Sequence, residues 1–259
     1  MSQVDEADLL AVAIEAADAA ALELTGRFGL RQEGVQTKSG PTDLVSNADL
    51  AAEAAIRRVL AERRPGDAIL GEEGGASGEG ELRWLVDPLD GTVNFLFGIP
   101  AFAISVACEG AEGTLAGVVL DPLRGERFAA TRSGPATLGA EQIRRPLRPN
   151  RLELAMVATG FAYDAAVRSR QAEVLLDLLP RVRDIRRIGA AALDLAWCAC
   201  GRFDAYYERG LNPWDSAAGA LIATRAGLEV RDLPANGDQP PGVIAAPAEL
   251  MQQLLARVD

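Results

Sequence analysis

Trp84-Leu85-Val86-Asp87-Pro88-Leu89-Asp90-Gly91-Thr92-Val93-Asn94-Phe95 is the stretch that the rest of the chain serves. Its apolar start predicts a strand with Asp87 at the end. Pro88 fixes one backbone angle and has no N–H to donate. Asp90, Gly91 and Thr92 then open a short helix, where N–H groups without intrahelical acceptors gather. Two carboxylates and several amides therefore meet at one point. Carboxylates hold hard divalent cations, and a helix N-terminus holds an anion. The combination suits a phosphate bridged by metal ions. Taken alone, an ordinary acidic turn after a strand explains the same residues.

Composition narrows the chemistry. The chain has 259 residues, enough for one large or two small domains, and is 49% hydrophobic and 24% charged, as globular enzymes are. It contains no histidine, which excludes Ser-His-Asp and Cys-His catalysis and histidine-bearing zinc sites. Three cysteines (Cys108, Cys198, Cys200) cannot make a four-cysteine site and fit a reducing compartment. No apolar run is long enough to span a bilayer, and the acidic start MSQVDEADLL lacks a basic leader, so a cytoplasmic protein is expected. The net charge of −11 argues against a nucleic-acid partner. Arg144, Arg145, Arg148 and Arg151 form a small basic cluster, read as a linker or interface edge. An acidic protein acting on a phosphate needs bound cations to invert the local field.

The pattern of elements alternates along the chain. Residues 5–28 have apolar positions at helical spacing. Residues 31–45 are polar and irregular and carry Lys38, the single lysine among 26 lysines and arginines. That loop either reaches over a site or is a plain surface connection. A second helix starts near Ser46 or Asn47 and runs to about Arg63. Residues 68–70 form a short strand leading into Gly71-Glu72-Glu73-Gly74-Gly75, whose glycines let backbone approach a ligand closely. Strands at 102–108, 114–120 and 127–130 follow, as in an antiparallel sheet. From residue 146 onward, strands at 152–158, 182–185, 203–207, 228–231 and 243–246 alternate with helices at 165–179, 189–200, 213–225 and 247–257. The fold class is α/β, α+β in the first half and α/β in the second. The halves divide at 1–145 and 146–259.

Further acids stand where Asp87 and Asp90 do, at strand ends or helix starts. Asp49 fits the capping pattern Ser46-Asn47-Ala48-Asp49; it either caps its helix or faces a water. Asp215, in Asn212-Pro213-Trp214-Asp215, is either a favourable first-turn acid or a carboxylate delivered from the second half. Asp49, Glu72, Asp87, Asp90 and Asp215 gathered together repel one another unless cations intervene. With Mg²⁺ they suit a two-metal phosphoryl-transfer site.

The blocks Gly71-Glu72-Glu73, Trp84–Phe95 and Trp214-Asp215-Ser216-Ala217-Ala218-Gly219 resemble, in order and spacing, those of the inositol monophosphatase family, in its bacterial inositol-1-monophosphatase branch. Segments 38–45 and 204–208 are similar too. The resemblance implies a layered αβαβα fold, a homodimer and sensitivity to lithium. It implies hydrolysis of a small phosphomonoester, myo-inositol 1-phosphate, by metal-activated water, with two or three Mg²⁺ per subunit. Glu72, Asp87 and the Leu89 carbonyl would hold one ion, and Asp87, Asp90 and Asp215 a second. Glu72 would help hold a third through waters. Thr92, with Glu72 and Asp49, would orient the attacking water. Gly91 and Thr92 would offer amides to the phosphate. Glu208 and Asp90 would take sugar hydroxyls near Gly189, Ala190 and Ala191, and Lys38 would sit on a mobile loop beside the metals. Asn212 and Ala190 depart from some members, which bears on the substrate: fructose-1,6-bisphosphate, histidinol phosphate and phosphoadenosine phosphate are the alternatives. A non-catalytic interaction protein with this fold is the alternative of another class. Asp90→Asn is expected to remove activity with little unfolding.

Overall fold

The computed structural model describes residues 5–30, 34–38, 44–145 and 150–259. Residues 39–43 of the lysine loop and Arg148 of the basic cluster lie outside the described residues.

Helix α1 (Glu6–Thr25) begins on Asp5, whose carboxylate accepts the Ala7 amide at 3.0 Å. The short strands β1 (Gln36–Thr37) and β2 (Leu44–Val45) then pair within the stretch expected to be irregular. Helix α2 (Asn47–Arg63) begins on Ser46. Leu9, Val12 and Ala16 of α1 and Ala52, Ile56 and Leu60 of α2 are fully buried. Each apolar side chain of leucine size withdrawn this way contributes ~1.5–3 kcal/mol. Both helices lie on one face of a sheet through Trp84, Val86, Ile104 and Val118.

That sheet has eight strands: β3 (Ala68–Gly71), β4 (Gly75–Ser77), β5 (Arg83–Asp90), β6 (Ala103–Gly110), β7 (Gly113–Asp121), β8 (Glu126–Thr131), β9 (Thr137–Leu138) and β10 (Glu141–Gln142). Their order is β10-β9-β8-β7-β6-β5-β3-β4. Among the described residues of this sheet only β3 and β5 pair in parallel. Helix α3 (Thr92–Leu96) lies between β5 and β6 in the chain.

The second sheet comprises β11 (Met156–Thr159), β12 (Asp184–Arg186), β13 (Ala205–Arg209), β14 (Glu229–Leu233) and β15 (Gly242–Ala246), ordered β12-β11-β13-β15-β14. Its helices are α4 (Ala165–Leu178), α5 (Ala191–Ala199), α6 (Pro213–Arg225) and α7 (Ala248–Val258). α5 and α6 lie between the two sheets and pack on both. α4 and α7 cover the outer face of the second sheet. The layers run αβαβα. The middle layer is built of small residues because the approach is close. A Cβ on Gly117 of β7 would stand 2.9 Å from the Ala218 Cα, and one on Gly219 2.7 Å from the Leu195 Cβ.

Several boundaries differ from the sequence expectation. The strand expected at 152–158 opens as a 3₁₀ turn, Leu152–Leu154, because the Ala155 amide bonds the Leu152 carbonyl at 2.9 Å. Pro180 does not stop α4 sharply; a 3₁₀ turn, Leu179–Arg181, carries the chain through it. Asp87 is not the end of its strand: β5 continues to Asp90. Among the described residues no helix is long and apolar enough to cross a membrane.

Candidate active site

The continuation of β5 explains how its two acids cooperate. In a regular strand, residues three apart point to opposite faces. Here Asp87 faces Ser105 and Asp90 faces Ala103, so one extra residue is accommodated between them. A bulge of this kind re-aims side chains, and Pro88 suits it because the ladder loses no donor there. Gly91 then takes φ +96°, a left-handed turn that leads directly into α3. Asp87, Leu89, Asp90, Gly91 and Thr92 consequently line one cleft of about 460 Å³.

Other elements bring their residues to the same cleft. The turn after β3 delivers Glu72, whose amide is held by the Val86 carbonyl at 3.0 Å. Lys38 spans Glu72 and Glu73, its Nζ 2.7 and 2.6 Å from their carboxylates. From the second half come Glu208 on β13, Asp215 at the start of α6, and Gly189 and Ala191 before and at the start of α5. Asp49 stands behind the cleft wall, 1% exposed, and accepts the Thr92 hydroxyl at 3.0 Å. Its other oxygen accepts the Ser46 amide at 2.8 Å and the Ser46 hydroxyl at 2.7 Å. The capping reading of Asp49 is met, and its second contact is the Thr92 hydroxyl. Ala190 is buried and does not line the cleft.

Two of these acids are structural as well. Asp90 accepts the Ala191 amide on Oδ1 at 2.8 Å, and the Ala192 and Leu193 amides on Oδ2 at 2.8 and 3.2 Å. It thereby supplies the side-chain cap that Ala190 cannot give the N-terminus of α5. Asp215 accepts the Asn212 amide at 2.7 Å, closing the first turn of α6.

The cleft gathers more carboxyl groups than cationic ones. Burial pushes Asp87 up, and the charges of Glu72, Asp90 and Asp215 push it further. Burial also lifts Asp90 to about 7 against the pull of the α5 amides, and Asp215 to about 8 against the Asn212 amide. Glu208 stands at about 7, again through burial, with the Tyr206 hydroxyl at 2.9 Å opposing the rise. Burial works against the Lys38 ammonium, but Glu72 and Glu73 outweigh it and raise its pKa. The donor set is all oxygen and rich in carboxyl groups, which fits hard divalent cations. Among the described residues, however, no three such side chains converge closely enough to form a ready cage. Asp90 is turned toward α5 and Glu72 toward Lys38.

Sequence reasoning missed three contributors. Arg187 lines the cleft with its guanidinium 5.9 Å from the Phe161 ring centre. Asn94 stitches α3 to the second half, donating to the Ile188 carbonyl at 2.9 Å. Glu53 of α2 lies beneath the Glu72 turn. The glycines there make room for Glu53, not for a ligand: a Cβ on Gly71 or Gly74 would come within 2.4 or 2.6 Å of its Oε1. The signal was present as the four-residue spacing of Asp49 and Glu53 in an alanine-rich helix.

Two sheets with a helical layer between them, sharing one acid-lined cleft at the ends of their strands, define a layered αβαβα protein suited to a small polar ligand. The chain belongs to the inositol monophosphatase family, whose model matches residues 5–259. It is 43% identical over 274 residues to the inositol-1-monophosphatase SuhB of Mycobacterium tuberculosis, with 98% of this chain and 94% of that one covered. It is 36% identical to the Nus factor SuhB of Haemophilus influenzae over 96% of this chain and 95% of that one. The solved extragenic suppressor protein SuhB of Bartonella henselae superposes with a TM-score of 0.87 at 36% identity, covering 96% and 97% of the two chains.

Proposed function

We propose that the chain is a Mg²⁺-dependent phosphomonoesterase acting on myo-inositol 1-phosphate. The family supports phosphatase chemistry. The observation that carries the reading is the meeting of Glu72, Asp87, Asp90 and Asp215 in one cleft beside the Thr92–Asp49 pair. Glu72, Asp87, the Leu89 carbonyl, Asp90 and Asp215 would hold two or three Mg²⁺, Glu72 releasing Lys38 to do so. When bound, the ions polarise water and phosphate and stabilise the leaving oxygen.

This chain's own residues supply the rest. The Thr92 hydroxyl has one proton and two acceptors in reach, Asp49 Oδ1 at 3.0 Å and the Leu89 carbonyl at 3.1 Å. With its hydrogen donated to Asp49, Thr92 Oγ1 lines the cleft and keeps a lone pair that can accept a water hydrogen. That orients the water for in-line attack and gives its proton a path. Gly91 and Thr92, at the α3 start, offer amides to the phosphate. Glu208 accepts a hydroxyl of the leaving alcohol, and Gly189 and Ala191 shape that end of the pocket. Asp90 orders the α5 start around the same alcohol. Residues 1–145 and 146–259 act as two subdomains that close the cleft between them, and the working unit is a homodimer.

Phosphate release from inositol 1-phosphate, fructose-1,6-bisphosphate, histidinol phosphate and phosphoadenosine phosphate, with and without Mg²⁺, tests this. Mg²⁺-dependent turnover fastest on inositol 1-phosphate is the expected result. Faster turnover on another substrate keeps the metal site and overturns the pocket assignment. The name of the Haemophilus relative favours a second reading, a non-catalytic interaction protein. Absence of turnover in folded protein that binds Mg²⁺ would select it.

A further inference from the structure

Asp49, Glu53 and Arg57 recur every four residues on α2 and so form one ridge along it. Asp49 and Glu53 are 1% and 2% exposed. Each side chain grips a different segment around the cleft. Asp49 takes the Thr92 hydroxyl. One turn along, Glu53 accepts the Glu73 amide on Oε2 at 2.7 Å and the Gly74 amide on Oε1 at 2.8 Å. One turn further, Arg57 donates to Glu53 Oε1 at 2.6 Å, to the Gly75 carbonyl at 2.6 Å and to the Ser77 hydroxyl at 2.8 Å. The turn that follows Glu72 is thus held at four points, Glu73, Gly74, Gly75 and Ser77, from a single helix.

A buried carboxylate is costly unless its partners are in place. Glu53 has two amides and a guanidinium as partners, and none of them touches the cleft. Packing alone does not require such a group, because an apolar side chain fills the same space. The arrangement does fix backbone position: two charge-assisted hydrogen bonds on consecutive amides leave the turn no freedom to rotate.

We propose that Glu53 is a positioning residue for the cation site. It fixes the backbone that carries Glu72. Since Asp49 lies one helical turn away, it also sets Glu72 at a constant distance from the Thr92 hydroxyl. The proposal rests on the reading of the cleft as a divalent-cation site. Supporting residues around metal ligands alter affinity by about 10–100-fold when mutated.

Glu53→Gln and Gly74→Ala attack the same contact from opposite sides, and the second leaves the Glu53 charge intact. Three quantities are read: Mg²⁺ affinity of the metal-free protein by calorimetry, Mg²⁺ dependence of turnover, and hydrogen exchange at the Glu73 and Gly74 amides. In both variants Mg²⁺ affinity should fall about 10–100-fold, with turnover largely restored at saturating Mg²⁺. Exchange at the two amides should quicken even without metal. Mg²⁺ affinity unchanged in both variants overturns the proposal. A wild-type protein that binds no divalent cation sinks the proposed function instead. The exchange measurement then still judges the clasp, and unaltered protection in Glu53→Gln overturns it.

Discussion

At the residue scale, Thr92 and Asp90 make contrasting predictions. Thr92→Val keeps the shape of the side chain and removes the hydroxyl that bridges the cleft to Asp49. Turnover should fall by about 10²–10⁴-fold, the usual contribution of a positioned proton-transfer group, with Mg²⁺ affinity unchanged in calorimetry. A matching loss of Mg²⁺ affinity would move Thr92 from chemistry to metal binding. Asp90→Asn should also abolish turnover, but the structure revises the expectation of a stable variant. Both Asp90 oxygens accept amides of α5, so an Asn must turn an NH₂ toward an N–H donor. A loss of about 1–3 kcal/mol in denaturant unfolding is expected. The sequence disclosed Asp90 as an acid at a turn. It did not disclose the three amides, because their partner lies 101 to 103 positions away.

At the scale of elements, the β5 bulge and the Gly91 turn set the site. Gly91→Ala places a side chain at φ +96°, with its Cβ 3.1 Å from the Ala101 carbonyl and 3.3 Å from the Ala190 Cβ. The left-handed strain alone costs about 1–2 kcal/mol, so the thermal midpoint should drop together with activity. A variant of unchanged stability would mean that the α3 entry relaxes freely. Helices with strong local signals were legible in the sequence: α6 spans 213–225, as its Pro213 start suggests, and α2 begins after Ser46. Strand ends were less legible. β5 carries on past Asp87, because pairing with β6, not local propensity, decides where a strand stops. The candidate site was readable as acids beside turns. Its supports, Glu53, Asn94 and Arg187, were not, since a buried polar residue on a helix resembles an exposed one until its tertiary neighbour is known.

At the scale of the whole molecule, the buried acids govern stability against pH. Glu208 and Asp90 at about 7 and Asp215 at about 8 stand well above ordinary carboxylates. Between about pH 4 and 8 the folded protein retains protons that the unfolded chain has released, so stability falls as pH rises through that window. Metal-free protein in chelator should therefore melt at a lower temperature at about pH 8 than at about pH 5, and Mg²⁺ should raise the midpoint most at the upper end. A midpoint rising with pH in chelator would contradict the buried-acid account. The bonds that close the cleft also impose an order on its formation. Asp90 waits for Ala191, Asn94 for Ile188, and Ser105 for the Trp214 carbonyl at 2.9 Å. A nascent chain stopped short of Ile188 already holds Asp49, Glu72, Asp87 and Asp90, yet lacks the partners that Asp90, Asn94 and Ser105 need. Such distant pairings come late and slow a fold. The complete cleft therefore arrives only with the last third of the chain, and truncated synthesis products are expected to lack it.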